Sequence, residues 1–219
     1  MSDPTGCAAA CAPDSSYCAR CDLLVGLDGL HVTGVHRHGG RLLIDAESPP
    51  GAAGCPGCGV VAESAGRKTL TLTDAPMGAG PVRIRWRKRR WRCRQEGCPV
   101  RSFTEQNPVV AQSNRTLTAR AVSWAVGQMR RENASVRGLA RQLGVSWRTV
   151  WSHVKPVLER LADDETRFDQ VTTLGVDEHI WHHVSTKPVE DGGRGPKELT
   201  GMVDLSRDAS GRVRARLLD

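Results

Sequence analysis

Two pairs of cysteines carry the clearest chemical signal in the sequence. Two residues separate Cys55 from Cys58, and four separate Cys93 from Cys98. Two such pairs can present four thiolates to one tetrahedral ion, as structural zinc requires. The 34 residues between the pairs suffice for two or three strands that bring the pairs together. The sequence therefore predicts a zinc-ribbon-like β module in which Zn²⁺ supplies much of the folding free energy, with incidental free cysteines as the alternative.

Four further cysteines lie close to the N-terminus, namely Cys7, Cys11, Cys18 and Cys21. The sequence begins without a secretion signal, so we expect a cytoplasmic protein, in which thiols favour metal binding over disulfide formation. The four cysteines are surrounded mainly by Ala and Ser, in a segment without a strand or helix pattern. We interpret residues 1–22 as a flexible tail with incidental thiols, and the question of a second metal site stays open.

A run of basic residues leads directly into the second cysteine pair. Eight of the twelve residues from Arg83 to Arg94 are basic and none is acidic. Alternating apolar residues from Val82 to Trp86 predict a strand, and a change of parity before Trp91 predicts a bulge near Lys88. A solvated basic face is the alternative to an interface with phosphates. The candidate DNA-binding residues of this strand are Arg83, Arg85, Arg87, Lys88, Arg89 and Arg90.

Positive charge is concentrated in the middle of the 219-residue chain. The net charge is +7, but residues 1–82 carry 5 basic and 8 acidic side chains, residues 83–160 carry 18 and 4, and residues 161–219 carry 8 and 12. A segment with this excess of Lys and Arg gains free energy on binding nucleic acid, because it displaces counterions from the phosphates. The distribution predicts a nucleic-acid partner. The sequence holds no apolar run of membrane-spanning length, which argues against a membrane partner.

Helical periodicity from Thr116 to about Phe168 contains a candidate helix-turn-helix. An apolar stripe from Val136 to Leu143 predicts the first helix, and Gly144 permits the tight turn after it. Ser146 is a suitable N-cap for the second helix, which would present its outer face to a DNA major groove. The candidate DNA-binding residues of this helix are Ser146, Trp147, Arg148, Trp151 and Ser152.

The elements that position these groups follow from the hydrophobic patterning. Alternating and β-branched runs between Gly- and Pro-rich turns predict strands in the zinc-binding region. A helical period predicts one helix in front of the helix-turn-helix, and a proline predicts the start of another behind it. The predicted elements are strands over Leu23–Val35, Arg41–Glu47, Arg67–Thr73 and Val82–Cys93, a helix over Leu117–Arg130 and a helix that begins at Pro156.

The last quarter of the sequence holds one candidate catalytic residue. Asp177 lies at the end of an apolar run, and two more strand-like runs follow over Leu199–Leu205 and Val213–Leu218. An RNase H-like nuclease begins with three consecutive strands, and an Asp on the first of them binds two Mg²⁺ ions for attack on a phosphate. A single carboxylate cannot hold such a pair of ions. We interpret Asp204, on the second strand, as a structural residue.

In their order, these motifs resemble the ISL3 family of bacterial insertion-sequence transposases. The resemblance rests on the two cysteine pairs, the basic run with its tryptophans, Phe103–Glu105, the helix-turn-helix and Leu174–Glu178, and it extends from about Leu23 to Asp219. It implies a zinc-binding domain and a helix-turn-helix that recognise terminal inverted repeats. It also implies that Asp177 is the first residue of an Asp, Asp, Glu triad, with Mg²⁺ expected only for the complete nuclease domain.

These observations predict an α+β protein with a zinc-ribbon-like β module, a helical helix-turn-helix domain and the first strands of an incomplete RNase H-like domain. The expected bounds are 1–22 for the tail, 23–108, 109–169 and 170–219. The triad's second Asp and Glu are expected beyond residue 219, so we expect the chain to bind double-stranded DNA without catalysing transposition. The alternative is a zinc-dependent helix-turn-helix transcriptional regulator or a transposition repressor. Whether the chain is a monomer or a homodimer stays open.

Overall fold

A computed structural model describes residues 17–78, 80–182, 186–194, 197–213 and 215–218. The chain forms two compact units, Met1–Val157 and Leu158–Asp219, and contains both helices and sheets, as predicted for an α+β protein. Within the described ranges, no helix combines the length and the apolar character needed to cross a membrane. The zinc-binding and helix-turn-helix regions fall in the same unit, while the predicted boundaries at residues 22, 108 and 169 stay predictions.

A five-stranded sheet forms the base of the first unit. Its strands are β1 (His31–His38), β2 (Arg41–Glu47), β3 (Glu63–Met77), β4 (Gly80–Arg92) and β5 (Ser102–Thr104). The order is β1-β2-β4-β3, β5 pairs with β4, and only β2 and β4 run parallel. The core covers one face of this sheet, where Ile44, Leu72, Val82, Ile84 and Trp86 are fully buried.

A short helix, α1 (Ala19–Val25), lies where the sequence predicts the end of a tail and the start of a strand. Cys18 caps its N-terminus, and Gly26, with a φ of 59°, ends it. The strand predicted over Leu23–Val35 is therefore wrong at its start, and β1 begins only at His31. The physical reason is that the left-handed glycine turns the chain between the two apolar runs.

The bulge expected near Lys88 lies instead in the partner strand β3. Ser64 pairs with Trp91 and Arg67 pairs with Arg89. Two residues of β3, Ala65 and Gly66, therefore lie opposite a single residue of β4, Arg90. One of the two is Gly66, whose φ of 92° is accessible to glycine and strained for other residues. At the same point in β4 the buried side chains change from even-numbered residues, the last of which is Lys88, to the odd-numbered Trp91.

Three helices follow this sheet along the chain: α2 (Ala119–Glu132), α3 (Val136–Leu143) and α4 (Trp147–Ala162), of which α4 begins in the first unit and extends past Val157. Thr118, Ser135 and Ser146 cap their N-termini by accepting a backbone N–H three residues on, each at 3.1 Å. Gly144, with a φ of 62°, makes the turn between α3 and α4. The predicted helix-turn-helix, with Ser146 as its second N-cap, is thus confirmed.

Helix α4 continues through Pro156, where the sequence predicts the start of a new helix. Proline lacks an N–H and therefore removes one bond of the helical ladder. The carbonyl that loses its donor belongs to Ser152, and Arg115 Nη1 donates to this oxygen at 3.1 Å. The predicted break is wrong because a side chain from outside the helix takes the place of the missing backbone donor.

The second unit contains an antiparallel three-stranded sheet. Its strands are β6 (Leu174–His182), β7 (Lys197–Asp204) and β8 (Arg216–Leu217), in the order β6-β7-β8. This arrangement is the meander that the sequence predicts. Three strands do not by themselves define an RNase H-like domain, so that assignment stays a prediction.

Candidate metal centre and nucleic-acid interface

The four predicted zinc ligands meet at one point of the first unit. The Sγ atoms of Cys55 and Cys98 are 3.8 Å apart, those of Cys58 and Cys93 are 3.5 Å apart, and all four lie within 4.8 Å of one another. With Zn–S bonds of about 2.3 Å, tetrahedral geometry places the sulfurs about 3.8 Å apart. The quartet therefore fits one structural Zn²⁺.

Backbone N–H groups around the quartet stabilise thiolates. The N–H groups of Gly57 and Cys58 donate to the Cys55 sulfur, and each cysteine of the second pair accepts from the N–H two residues on. Such donors orient the sulfurs and tune their basicity. Glycine is needed at position 57 because a Cβ there would lie 2.9 Å from Val100 Cγ2.

The thiols of the quartet cannot all ionise without a cation. Burial opposes ionisation of Cys55, but hydrogen bonds from the backbone and the neighbouring thiols outweigh it and lower its pKa to about 7. The Gln95 N–H favours the Cys93 thiolate, but burial and the neighbouring sulfurs raise the pKa of Cys93 to about 12. The Cys55 thiol thus ionises near neutral pH, whereas the Cys93 thiol needs a nearby positive charge in order to ionise. A zinc ion bound by the quartet supplies that charge.

The N-terminal cysteines do not form a second cluster in the described part of the chain. Cys18 and Cys21 lie at the start of α1, where the Cys18 Sγ accepts the Cys21 N–H at 3.4 Å. Cys7 and Cys11 lie outside the described residues. Among the described residues, the zinc-binding quartet is the one group of three or more His, Cys, Asp or Glu side chains close enough to share an ion.

The first predicted DNA-binding residue, Arg83, contacts the helix-turn-helix. Its Nη1 donates to the Leu143 carbonyl at 3.0 Å and its Nη2 to the Gly144 carbonyl at 2.7 Å. These oxygens end α3 and have no intrahelical donor. Arg83 therefore joins β4, which leads into Cys93, to the turn in front of α4.

Replacing Gly144 by Ala should destabilise this turn. An Ala at a φ of 62° costs about 1–2 kcal/mol, and its Cβ would also lie 3.2 Å from Pro81 Cγ. Gly39→Ala is a matched control because Gly39 has a φ of 54° and nothing within 4 Å of an added Cβ. We expect urea denaturation to show the larger loss for Gly144→Ala, and equal losses would contradict a role for the Pro81 contact.

The next two arginines of β4 face acidic side chains of β2. Arg85 forms a bidentate ion pair with Asp45, and Arg87 Nη1 lies 3.4 Å from a Glu47 carboxylate oxygen. Burial opposes ionisation of Asp45, but the Arg85 guanidinium outweighs it and holds the pKa of that carboxyl below its usual value. The Arg87 side chain is 54% exposed, so it remains accessible to a phosphate.

Lys88 does not lie on the arginine face of β4. It is only 6% exposed, its Nζ lies 4.3 Å from the centroid of the Trp86 ring, and it donates to Gln106 Oε1 at 3.2 Å. Strand alternation places its side chain on the core face, away from the arginines, and phosphate contact by Lys88 stays a prediction. Arg89 is partly buried and donates to the Gly51 carbonyl at 2.9 Å, whereas Arg90 is exposed.

The outer face of α4 carries two tryptophans and an arginine. Trp147 is 47% exposed and Trp151 39%, and Arg148 and Ser152 are exposed as well. The inner face packs through Val150 and Val154, which are fully buried. Large exposed aromatic side chains beside a cation are the types that contact bases and phosphates. The division between the two faces agrees with the sequence prediction, while DNA contact by individual residues stays a prediction.

A buried ion pair that the sequence analysis missed links the sheet to α2. Asp74 of β3 is fully buried and accepts hydrogen bonds from Thr118 Oγ1 at 2.5 Å and from Arg120 Nε at 2.8 Å. Arg120 also donates to the Gly26 carbonyl at 2.8 Å. The sequence did hold a signal for this pair. Asp74 is two residues after Leu72 and so lies on the same, buried face of the strand, where a carboxylate needs a charged partner.

The predicted catalytic residue lies on the second unit. Asp177 is exposed on β6, opposite Gly201 of β7. Asp204 accepts the Ser206 N–H at 2.9 Å and lies 3.2 Å from Arg216 Nη2. Hydrogen bonds from the Ser206 hydroxyl and N–H, together with the Arg216 charge, hold the pKa of Asp204 below its usual value. These bonds support a structural role for Asp204. No described group of potential metal ligands contains Asp177, so the described residues do not form a site for two Mg²⁺ ions.

A structural zinc centre joined to a helix-turn-helix defines a DNA-binding protein. Residues 52–98 match the family model of the zinc-finger of transposase IS204/IS1001/IS1096/IS1165, and residues 105–156 match that of the helix-turn-helix domain of transposase family ISL3. The chain therefore contains the zinc-finger and helix-turn-helix domains of ISL3-family transposases, which are DNA-binding parts of those proteins. Both matches are to transposase domains, and neither favours the alternative of a transcriptional regulator. No curated protein and no solved structure shows significant similarity to the chain.

Proposed function

We propose that the chain recognises the terminal inverted repeats of its insertion sequence by inserting α4 into the DNA major groove. The observation that carries this proposal is the exposed surface formed by Trp147, Arg148 and Trp151 directly behind the Gly144 turn. A guanidinium there can bind a guanine edge in bidentate fashion, and an indole can contact a thymine methyl group. Ser146 and Ser152 add hydroxyl groups at the two ends of this surface.

The zinc-bearing sheet would add contacts that are independent of sequence. Arg87, Arg89 and Arg90 are the candidates for phosphate contact. The guanidinium groups of Arg83 and Arg85 are each held by two hydrogen bonds within the protein, whereas Arg87 and Arg90 are exposed and Arg89 donates to the Gly51 carbonyl through Nη1. Such contacts fix the position of a protein on DNA and make its affinity depend steeply on salt. Sequence preference should therefore come from α4 and general affinity from β4.

We also propose that the second unit begins an RNase H-like nuclease domain in which Asp177 is the first metal-binding carboxylate. Its support is the β6-β7-β8 meander with an exposed Asp on the first strand. Two Mg²⁺ ions need several oxygen ligands, so this role requires carboxylates besides Asp177. The proposed bounds of the parts remain 1–22, 23–108, 109–169 and 170–219.

Arg148→Ala should test the recognition helix. A duplex that the zinc-loaded chain enriches from a random pool, termed the selected duplex, is compared with a scrambled duplex of the same composition. We expect the variant to lose about 1–3 kcal/mol of preference for the selected duplex, the contribution of one bidentate base contact. The same titration gives the stoichiometry, one chain or two per duplex.

The matched control for Arg148→Ala is a double variant of the β4 face. Replacing Arg87 and Arg89 by Ala should weaken the selected and the scrambled duplex alike, and should reduce the salt slope by about 2, or about 1 for each lost phosphate contact. Equal effects of the two sets of substitutions on both duplexes would contradict the assignment of α4 as the recognition helix.

A further inference from the structure

The proline in α4 creates a need for a hydrogen-bond donor on the recognition helix. Pro156 has no N–H, so the Ser152 carbonyl four residues before it lacks its helical donor. Arg115 Nη1 donates to this oxygen at 3.1 Å. The bond acts on the residue next to Trp151, at the C-terminal end of the exposed surface of α4. A residue that is distant in sequence thus completes the ladder of the recognition helix.

His153 makes a second bond between the same two segments. Its Nδ1 lies 2.7 Å from the Thr149 carbonyl within α4, and its Nε2 lies 3.2 Å from the Thr116 N–H. Both bonds form at once only when Nδ1 carries the proton and Nε2 accepts. Burial lowers the pKa of His153, which agrees with a neutral ring. The imidazole and the Arg115 guanidinium therefore hold adjacent residues of α4.

The segment that supplies the Arg115 guanidinium and the Thr116 N–H is itself fixed to the zinc-bearing sheet. Residues 115–118, termed the strap, run parallel to β3 through the bridge between Thr73 and Leu117. The Thr73 N–H donates to the Thr116 carbonyl at 2.8 Å, and the Thr118 N–H donates to the Thr73 carbonyl at 2.9 Å. The chain of contacts runs from β3 through the strap to the middle of α4.

We propose that Arg115 is a positioning residue for DNA recognition, which holds α4 in place on the zinc-bearing sheet and so orients its outer face, without touching DNA. The inference rests on the proposed role of α4. The bond between Arg115 and the Ser152 carbonyl fixes the rotation of the helix about its axis. That rotation decides whether Arg148, Trp151 and Ser152 reach the base edges together, so the strap contributes to sequence preference from outside the interface.

A double-mutant cycle with Pro156 tests this role. In the Pro156 background, Arg115→Ala should reduce the preference for the selected duplex over the scrambled duplex by about fivefold to tenfold, the size of one hydrogen bond. Pro156→Ala restores a backbone N–H opposite the Ser152 carbonyl. In that background, Arg115→Ala should change the preference by less than about twofold. The salt slope should stay the same in all four proteins, because no phosphate contact is lost.

The outcomes separate this inference from the proposed function. An equal loss of preference in both backgrounds would mean that Arg115 does not act through the Ser152 carbonyl, and a salt slope reduced by about 1 would make Arg115 a direct DNA contact. Either result would overturn the inference. If Arg148→Ala leaves the preference unchanged, the proposed role of α4 fails instead. Should Arg115→Ala not fold, which circular dichroism reports, Arg115→Gln in the same cycle loses the guanidinium reach while remaining polar, and the same two criteria apply.

Discussion

Removal of zinc is expected to unfold the zinc ribbon and to abolish DNA binding. Four thiolates at tetrahedral spacing bind Zn²⁺ with about 10–16 kcal/mol in small zinc-binding modules, which is as large as the free energy of folding of a typical domain, about 5–15 kcal/mol. Cys93 directly follows β4, and Arg83 on the same strand holds the turn in front of α4. The loss should therefore extend from the zinc site to the helix-turn-helix.

Single substitutions at the cysteines make this prediction quantitative. Cys93→Ser should lower the zinc content from about one equivalent to none and should reduce the affinity for every duplex, since four protein ligands close a structural site. Cys21→Ser is the matched control, because Cys21 lies in α1 and outside the quartet. Zinc content by metal analysis and affinity by titration check both variants. Retention of zinc by Cys93→Ser would contradict the four-ligand site.

Loss of the buried carboxylate in β3 is the second change with a large expected effect. Asp74 is fully buried and pairs with Arg120, whose side chain is 31% exposed. Removing one partner of a buried pair costs about 3–5 kcal/mol, because the other charge stays without compensation. Asp74→Ala also removes the partner of Thr118, the N-cap of α2. We expect a loss in that range by chemical denaturation.

The exposed pair between Glu63 and Arg94 provides the control for Asp74. Both side chains are largely exposed, at 47% and 65%. Solvent screens such a pair, so Glu63→Ala should cost less than about 1 kcal/mol. Similar losses for Asp74→Ala and Glu63→Ala would mean that the buried pair does not join β3 to α2 in the way its geometry indicates.

Local signals made the zinc site and the helix-turn-helix predictable. The spacing of the cysteines gave the quartet, because two short turns suffice to place each pair. Gly144 and Ser146 gave the turn and the N-cap, because both act within a few residues of their own position. The exposed and buried faces of α4 followed from helical periodicity alone.

The predictions that failed depended on partners that are distant in sequence. No residue close to Pro156 in the sequence indicates that Arg115 donates to the Ser152 carbonyl in place of the missing N–H of Pro156. A break in the helix was therefore the expected result. The burial of Lys88 was missed as well, because it depends on the sheet and on Gln106, to which Lys88 Nζ donates at 3.2 Å. The role of Asp177 remains a prediction, since it depends on carboxylates that the described residues do not bring near it.

Binding of the zinc-loaded chain to random duplexes at physiological salt tests the central claim most directly. Sites that a protein recognises specifically bind about 10³–10⁷-fold more tightly than other sequences. We expect one motif to be enriched, to match the ends of the insertion sequence, and to lose its advantage in Arg148→Ala. Binding of all duplexes with equal affinity, or of none, would contradict recognition of DNA by α4.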